Sequence, residues 1–193
     1  MKTAKPSTKK QNALLAAFER TAKWVASKAL TTRQIKLEGA IKLVNLFISK
    51  KAEIADAKLN QQDVASKAGF ESAPFECSTR NKTNRLIKLG VVTRLWAILN
   101  ADGQTPEKDG EWLRAIKDCP FTQDHADKLM RGLKADVVEY CDPSHKAYAE
   151  IVSRIAMALE RVNSGETIGD ACTAISEDNA KTPAPNAKAK KAA

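Results

Sequence analysis

The sequence is poor in the residues on which catalytic and disulfide-bonded proteins depend. It holds two histidines and four cysteines in 193 residues, and no two cysteines have the Cys-x-x-Cys spacing of zinc and redox sites. The sequence also lacks the common catalytic and cofactor-binding motifs: the phosphate-binding loop, the dinucleotide-binding glycine pattern, the Gly-x-Ser-x-Gly turn and the two-histidine metal helix. We therefore expect a protein that is not an enzyme and that uses no cofactor and no metal.

One spacing leaves a metal alternative open. Cys119, His125, Cys141 and His145 together offer the four side chains of a zinc site. Zinc sites normally include a close cysteine pair, whereas reduced, buried cysteines and surface histidines explain the same four residues. The second interpretation is favoured.

Long hydrophobic runs are also absent. No stretch approaches the ~20 apolar residues that cross a bilayer, and the first thirty residues contain no apolar run of the secretory type. Hydrophobic residues still make up 43% of the chain, which suffices for the core of one domain or two small ones. The sequence predicts a cytoplasmic protein without a membrane partner, and no small-molecule substrate is evident.

Charge is divided unequally along the chain. Residues 1–60 carry a net charge of +9 (13 basic and four acidic), residues 61–100 one of +3 (six and three), and residues 101–180 one of −7 (nine and 16). Residues 181–193 add +4. Because the two signs are segregated, the basic part predicts a nucleic-acid surface. The alternative is that the lysines only maintain solubility.

Apolar residues at three- and four-residue spacings predict helices before residue 60. The first spans residues 11–30, with Leu14, Phe18, Ala22, Val25 and Ala29 inward and Trp24 at the edge of the core. The second follows a capping sequence at residues 31–34 and runs to about Lys50, with Leu37, Ile41, Val44 and Ile48 inward. A third short helix is predicted over residues 51–58.

The clearest functional signal lies in residues 59–94. Asn60 can cap a short helix over residues 61–68, whose inward face includes Val64 and whose end fits Gly69. After a turn, residues 78–85 are eight consecutive polar residues with a net charge of +3. These side chains are the predicted contacts to DNA bases and phosphates, since arginine can bind guanine and asparagine adenine with two hydrogen bonds.

Gly90 is predicted to end the polar helix, and Val91–Val92 to begin a strand. The Ala65–Gly69 and Leu86–Gly90 spacings and the Val-Val-x-Arg sequence ending at Arg94 resemble the DNA-binding unit of winged-helix bacterial regulators of the multiple-antibiotic-resistance type. The resemblance covers residues 59–94. It implies a winged helix-turn-helix in which the polar helix reads DNA.

The predicted DNA-binding residues are Ser78, Thr79, Arg80, Asn81, Lys82, Thr83, Arg85 and Arg94. After them, the apolar run Leu95–Leu99 is interpreted as the first strand of the wing, and Asp102–Gly103 as a turn. No clear returning strand follows. The fold class expected from these signals is mostly α, with a helix-turn-helix, a possible short β-hairpin and a C-terminal helical hairpin.

The acidic part predicts that hairpin. Thr122 can cap a helix to about Cys141, and Asp142–Pro143 starts a second helix to about Asn163. The inward residues are Ala126, Leu129, Leu133 and Val137 of the first helix, and Tyr148, Ile151, Val152, Ile155, Leu159 and Val162 of the second. This hairpin is either intramolecular core or the interface of a homodimer formed through residues 122–163.

Four regions are expected: a disordered basic arm (1–10), a basic helix-turn-helix domain (11–104), an acidic helical domain (105–176) and a disordered basic tail (177–193). The predicted function is DNA binding, as a transcription regulator or as a replication or packaging accessory factor of a phage or plasmid. The alternative is a non-catalytic helical protein that binds an acidic partner protein.

Overall fold

A computed structural model of the chain describes residues 8–27, 32–60, 63–64, 67 and 79–181. Within these ranges the protein contains nine helices and no strand, which confirms a mostly α fold. The helices are α1 (Thr8–Ser27), α2 (Arg33–Ser49), α3 (Lys51–Asp56), α4 (Thr79–Asn100), α5 (Asp109–Ala115), α6 (Gln123–Leu129), α7 (Val137–Tyr140), α8 (Lys146–Asn163) and α9 (Ile168–Lys181).

Helices α2 and α4 form the centre of the fold. They run in the same direction, because Ala40 lies against Gly90 and, further along both helices, Arg94 bonds to Asn45. A Cβ atom added at Gly90 would lie 2.4 Å from the carbonyl oxygen of Ala40 and 2.5 Å from Cγ2 of Val44. Glycine is therefore what allows the two backbones to approach this closely.

The prediction that Gly90 ends the polar helix is wrong. Helix α4 continues to Asn100, so that Val91–Val92 and the run Leu95–Leu99, which were interpreted as strands, are helical. Local propensity favours a strand for the two valines, but both are fully buried in α4, and this burial outweighs the preference. The turn at Asp102–Gly103 is present, with φ of 51° and 84°, and it follows the end of α4.

The buried faces predicted for the first two helices are confirmed where their side chains are described, but the predicted capping is not, because Thr32 at the amino end of α2 makes no side-chain capping bond. Leu14, Phe18 and Phe47 are buried, and the rings of the two phenylalanines lie 4.9 Å apart where α1 crosses α2. Trp24 is half-buried at the edge of the core, as predicted. Helix α1 begins at Thr8, however, so the last three residues assigned to a disordered arm are helical. The side chains of Ala22, Val25 and Ala29 lie outside the described residues.

The first arm of the predicted hairpin is not one helix. Thr122 caps α6 as predicted, its hydroxyl accepting the His125 N–H at 3.3 Å, but α6 ends at Leu129 and α7 begins only at Val137. Gly132 has a φ of +79° between them, a conformation that ends a helix. The second arm, α8, ends at Asn163 as predicted.

Helices of both halves share one hydrophobic core. Leu86 and Leu95 of α4 belong to the same cluster of buried residues as Leu129 of α6, Ile155 of α8 and Ile175 of α9. The last helix, α9, continues to Lys181, into the part of the chain predicted to be a disordered tail. No helix in the described part of the chain is long and apolar enough to cross a membrane.

Candidate nucleic-acid interface

The structure describes some of the predicted DNA-binding residues in full, others by their backbone alone, and one not at all. Ser78 is outside the described residues, as is nearly all of the first helix of the predicted helix-turn-helix. Within that helix Asp63 and Val64 are helical, Val64 is buried, and Asn60 Oδ1 accepts the Asp63 N–H at 2.7 Å, which confirms the Asn60 cap. The helix-turn-helix itself stays a prediction.

The polar segment forms the first turns of α4. Residues 79–85 are helical, as predicted, but the side chains of Thr79, Arg80, Asn81, Lys82 and Thr83 are outside the described part. Arg85 and Arg94 are described in full. They are nine residues apart on α4, which is about 2.5 helical turns and therefore places them on opposite faces.

Arg85 is held by two aspartates of α6. Its Nε donates to Asp127 Oδ2 at 2.7 Å, and its Nη2 pairs with Asp124. Lys88 Nζ binds the other oxygen of Asp127 at 2.8 Å. The Arg85 side chain remains 28% exposed, so the two pairs orient its guanidinium at the surface without hiding it.

Arg85 also lines a shallow groove of about 350 Å³ between α2, α4 and the start of α6. We call it the basic groove; its charged lining residues are Arg33, Lys36, Arg85 and Asp124. Arg33 is anchored there by a hydrogen bond to the carbonyl oxygen of Cys119. Counted with the adjacent pair of Lys88 and Asp127, four cations stand against two carboxylates, which gives the groove a positive potential.

The amino ends of α2 and α4 add to this potential. Neither helix has an acidic residue in its first turn; α2 instead carries Arg33 and Lys36 there, and α4 carries Arg80 and Lys82. The amino end of a helix has a partial positive charge, which repels cations placed at the same end. The arrangement costs helix stability and favours the binding of anions.

Arg94 lies elsewhere. It hydrogen-bonds to Asn45 Oδ1, and its guanidinium carbon stacks 4.5 Å from the centre of the Trp112 ring. Burial lowers the pKa of Arg94, an effect that the nearby Cys141 partly offsets. The structure therefore groups Arg85 with Arg33 and Lys36 and separates Arg94 from them.

Arg33 and Lys36 were not among the predicted contacts. Their signal in the sequence was the presence of two cations, Arg33 and Lys36, directly after Thr32 in the first turn of the predicted helix, where acidic residues would favour a helix. What the sequence did not show is that α2 runs parallel to α4. That packing is what brings Arg33 and Lys36 to the same groove as Arg85.

The residues of the zinc alternative serve other purposes. His125 Nδ1 accepts the Thr122 N–H at 3.4 Å, and His145 Nδ1 accepts the Ala147 N–H at 3.2 Å, so each histidine caps a helix. Burial raises the pKa of the Cys119 thiol, and that of Cys141 to about 11. Across the described ranges, no group of three or more His, Cys, Asp or Glu residues is arranged to hold a metal ion.

No family model matches this chain, and no match was found among curated proteins or among solved structures. The resemblance of residues 59–94 to winged-helix regulators thus stays a prediction.

Proposed function

We propose that this protein is a non-catalytic DNA-binding protein whose contact surface is the basic groove together with the first turns of α4. The observation that carries the proposal is the convergence on one groove of Arg33 and Lys36, from the amino end of α2, with Arg85, which lies about one helical turn beyond the cationic first turn of α4. Their charges would neutralise phosphates of the DNA backbone. Arg33 is exposed and Lys36 is half-buried, so both are accessible to a phosphate.

Base reading is assigned to the first turn of α4. Arg80 and Asn81 lie four to five residues before Arg85, that is, about one helical turn from the basic groove. A helix anchored to phosphates through Arg85, Arg33 and Lys36 would present its amino end to the major groove. The role we favour is transcription regulation. The second choice is an accessory role in the replication or packaging of a phage or plasmid.

The proposal is tested by the salt dependence of binding to duplex DNA. A variant with Arg33→Gln and Lys36→Gln should bind more weakly and lower the slope of log affinity against log salt by up to about 1.8, or ~0.9 for each phosphate that is no longer neutralised. The matched control, Lys117→Gln with Lys146→Gln, removes the same charge from exposed sites in the acidic half. Equal slopes for the two variants would contradict the assigned surface.

Base reading has its own test. Replacing Arg80 by Ala should cost about 1–3 kcal/mol of binding free energy at a selected site and relax the base preference there. A variant that keeps the parent's preference would remove Arg80 from the reading surface. If the parent chain binds no DNA at all, the alternative of an acidic partner protein replaces the proposal.

A homodimer through residues 122–163 is part of the proposal, because two-fold symmetry doubles the contacts that one reading helix makes. One observation favours α8 as the contact: Met157, at its outer face, is 44% exposed. Sedimentation of the chain with and without DNA tests the idea. A monomer in both conditions at micromolar concentration would leave α8 a purely intramolecular helix.

A further inference from the structure

A second groove lies on the other side of α2, between α1, α2 and the start of α5. Its volume is about 610 Å³, within the range of small-molecule sites. We call it the tryptophan groove; the residues used below are Arg20, Trp24, Lys42, Asn45, Arg94 and Trp112. Asn45 is nine residues beyond Lys36, about 13 Å along the axis of α2, and none of these six residues lines the basic groove.

Arg94 is a largely buried cation at this groove. Its Nη1 donates to Asn45, and its guanidinium carbon lies 4.5 Å from the centre of the Trp112 ring, which is only 4% exposed. Its Nε is buried and has no hydrogen-bond partner in the described part of the protein. Glu107 and Asp109 line the same groove, yet neither pairs with Arg94. A buried guanidinium whose donor is unsatisfied and whose charge no carboxylate balances costs stability, and an anionic ligand would remove that cost.

Two further cations face the groove. Lys42 Nζ lies 4.3 Å from the centre of the Trp24 ring and 3.5 Å from Glu38, and the Arg20 side chain is exposed at the rim. Trp24 is half-buried, so part of its ring borders the groove. The groove thus combines three cations, a half-buried aromatic ring that Lys42 partly covers and, in Glu107 and Asp109, two carboxylates that can accept hydrogen bonds.

We infer that the tryptophan groove binds a nucleotide unit, with the phosphate at Arg94 and Lys42 and the base against Trp24. The unbalanced arginine selects an anion, the aromatic ring selects a planar group, and the carboxylates select hydroxyl or amino donors such as those of a sugar or base. A nucleotide carries all three. It can be a free nucleotide or an unpaired nucleotide of a single strand. This site is separate from the duplex-binding surface and does not depend on it.

The test is titration calorimetry of the full chain with adenosine monophosphate, adenosine, inorganic phosphate and a four-residue single-stranded oligodeoxyadenylate. We expect the monophosphate to bind at least about tenfold more tightly than adenosine or phosphate, since it makes both sets of contacts. Tighter binding of the oligonucleotide than of the monophosphate would assign the groove to a single strand, and equal or weaker binding would assign it to a free nucleotide. Phosphate binding as tightly as the monophosphate would overturn the nucleotide assignment, as would no binding of any probe at millimolar concentration.

Variants locate the site. Lys42→Gln and Trp24→Leu should each weaken monophosphate binding about tenfold, the reduction expected for one charge-assisted or stacking interaction. Lys51→Gln, which removes an exposed lysine outside the groove, should change nothing. Circular dichroism checks that all three variants fold. If Lys42→Gln and Lys51→Gln bind alike, the groove is not the site; because neither residue lines the basic groove, duplex binding then remains a separate question.

Discussion

The basic and acidic halves of the molecule differ at most of their helix amino ends. Helices α5, α6, α7 and α9 of the acidic half each carry an acidic residue in the first turn. In the basic half α1, α2 and α4 carry none. Each half has one exception: α3 of the basic half carries Glu53, and α8 of the acidic half carries no acidic residue there. An acidic residue at this position stabilises a helix by about 0.3–1 kcal/mol, whereas a cation there destabilises the helix. Most helix amino ends of the acidic half are therefore stabilised by an acidic residue, whereas those of α1, α2 and α4 are not.

The halves also differ in what fixes their geometry. In the basic half, α2 and α4 meet backbone to backbone at Gly90. In the acidic half, the bend between α6 and α7 is held by a buried side chain, Arg154 of α8, which donates to the carbonyl oxygens of Leu129 and Arg131 at 2.8 and 2.9 Å. One half depends on close packing and the other on buried hydrogen bonds.

The largest expected effect comes from closing the glycine contact. Gly90→Ala places a methyl group against the Ala40 carbonyl, a backbone atom that cannot move independently. We expect a loss of about 3 kcal/mol in the free energy of unfolding, the upper part of the overpacking range. Denaturant unfolding followed by circular dichroism measures it.

Gly110→Ala is the matched control. Gly110 lies in the first turn of α5 with nothing within 4 Å of the added Cβ, so the change should be neutral or stabilise the protein by up to about 1 kcal/mol. Similar losses at both positions would mean that the α2–α4 contact is not the special feature of the basic half.

The two halves also show what the sequence could and could not predict. Periodicity located α2 and α8 and the buried faces of both, because amphipathic spacing depends on the sequence alone. Gly90 and Gly132 were misjudged in opposite directions: the first was expected to end a helix but lies inside α4, and the second was passed over but lies at a break. The sequence alone does not show whether a glycine will pack against a neighbouring backbone or adopt a positive φ.

The same limit applies to the candidate site. The nine-residue spacing of Arg85 and Arg94 already places them on opposite faces of any continuous helix, but the predicted break at Gly90 concealed this. The grouping of Arg85 with Arg33 and Lys36 depends on the parallel packing of α2 and α4. Such contacts between distant segments cannot be obtained from local patterns.

The next prediction tests the buried hydrogen bonds of the acidic half. Arg154 is 7% exposed, and Arg154→Met keeps its aliphatic length while leaving two carbonyl oxygens without their donor. We expect a loss of about 2–3 kcal/mol in unfolding free energy, the cost of unsatisfied buried polar groups.

Arg161→Met on the same helix is the control. Arg161 pairs with Glu166 at the surface, so its loss should leave the melting temperature close to that of the parent. If the Arg154 variant is equally stable, the bend between α6 and α7 is maintained by packing alone.

A smaller effect is expected from the chain ends. Removing residues 1–7 and 182–193 deletes five lysines and no acidic residue, and every described helix is left intact. Each lysine that contacts a phosphate contributes about 0.9 to the salt slope of DNA binding. The truncated chain should therefore keep its melting temperature and show a shallower slope. An unchanged slope would confine phosphate contact to the folded basic half.

The smallest effect concerns the pH dependence of the acidic half. Burial, and then the charge of Lys128, lower the pKa of His125 below its ordinary value, with Asp124 acting in the opposite direction. The unfolded chain therefore binds a proton more readily than the folded one, so stability from this group is complete above a pH of about 6.5 and is lost as the pH falls below it. The melting temperature should fall between about pH 7 and pH 5.

His125→Gln should make this fall shallower, because glutamine at the same position of a Thr-x-x-Gln capping box still accepts the Thr122 N–H but does not titrate. A His145→Gln variant, which changes the cap of α8, serves as the control. If the His125 variant follows the parent's pH profile throughout this window, then the acid sensitivity of the fold arises from other groups.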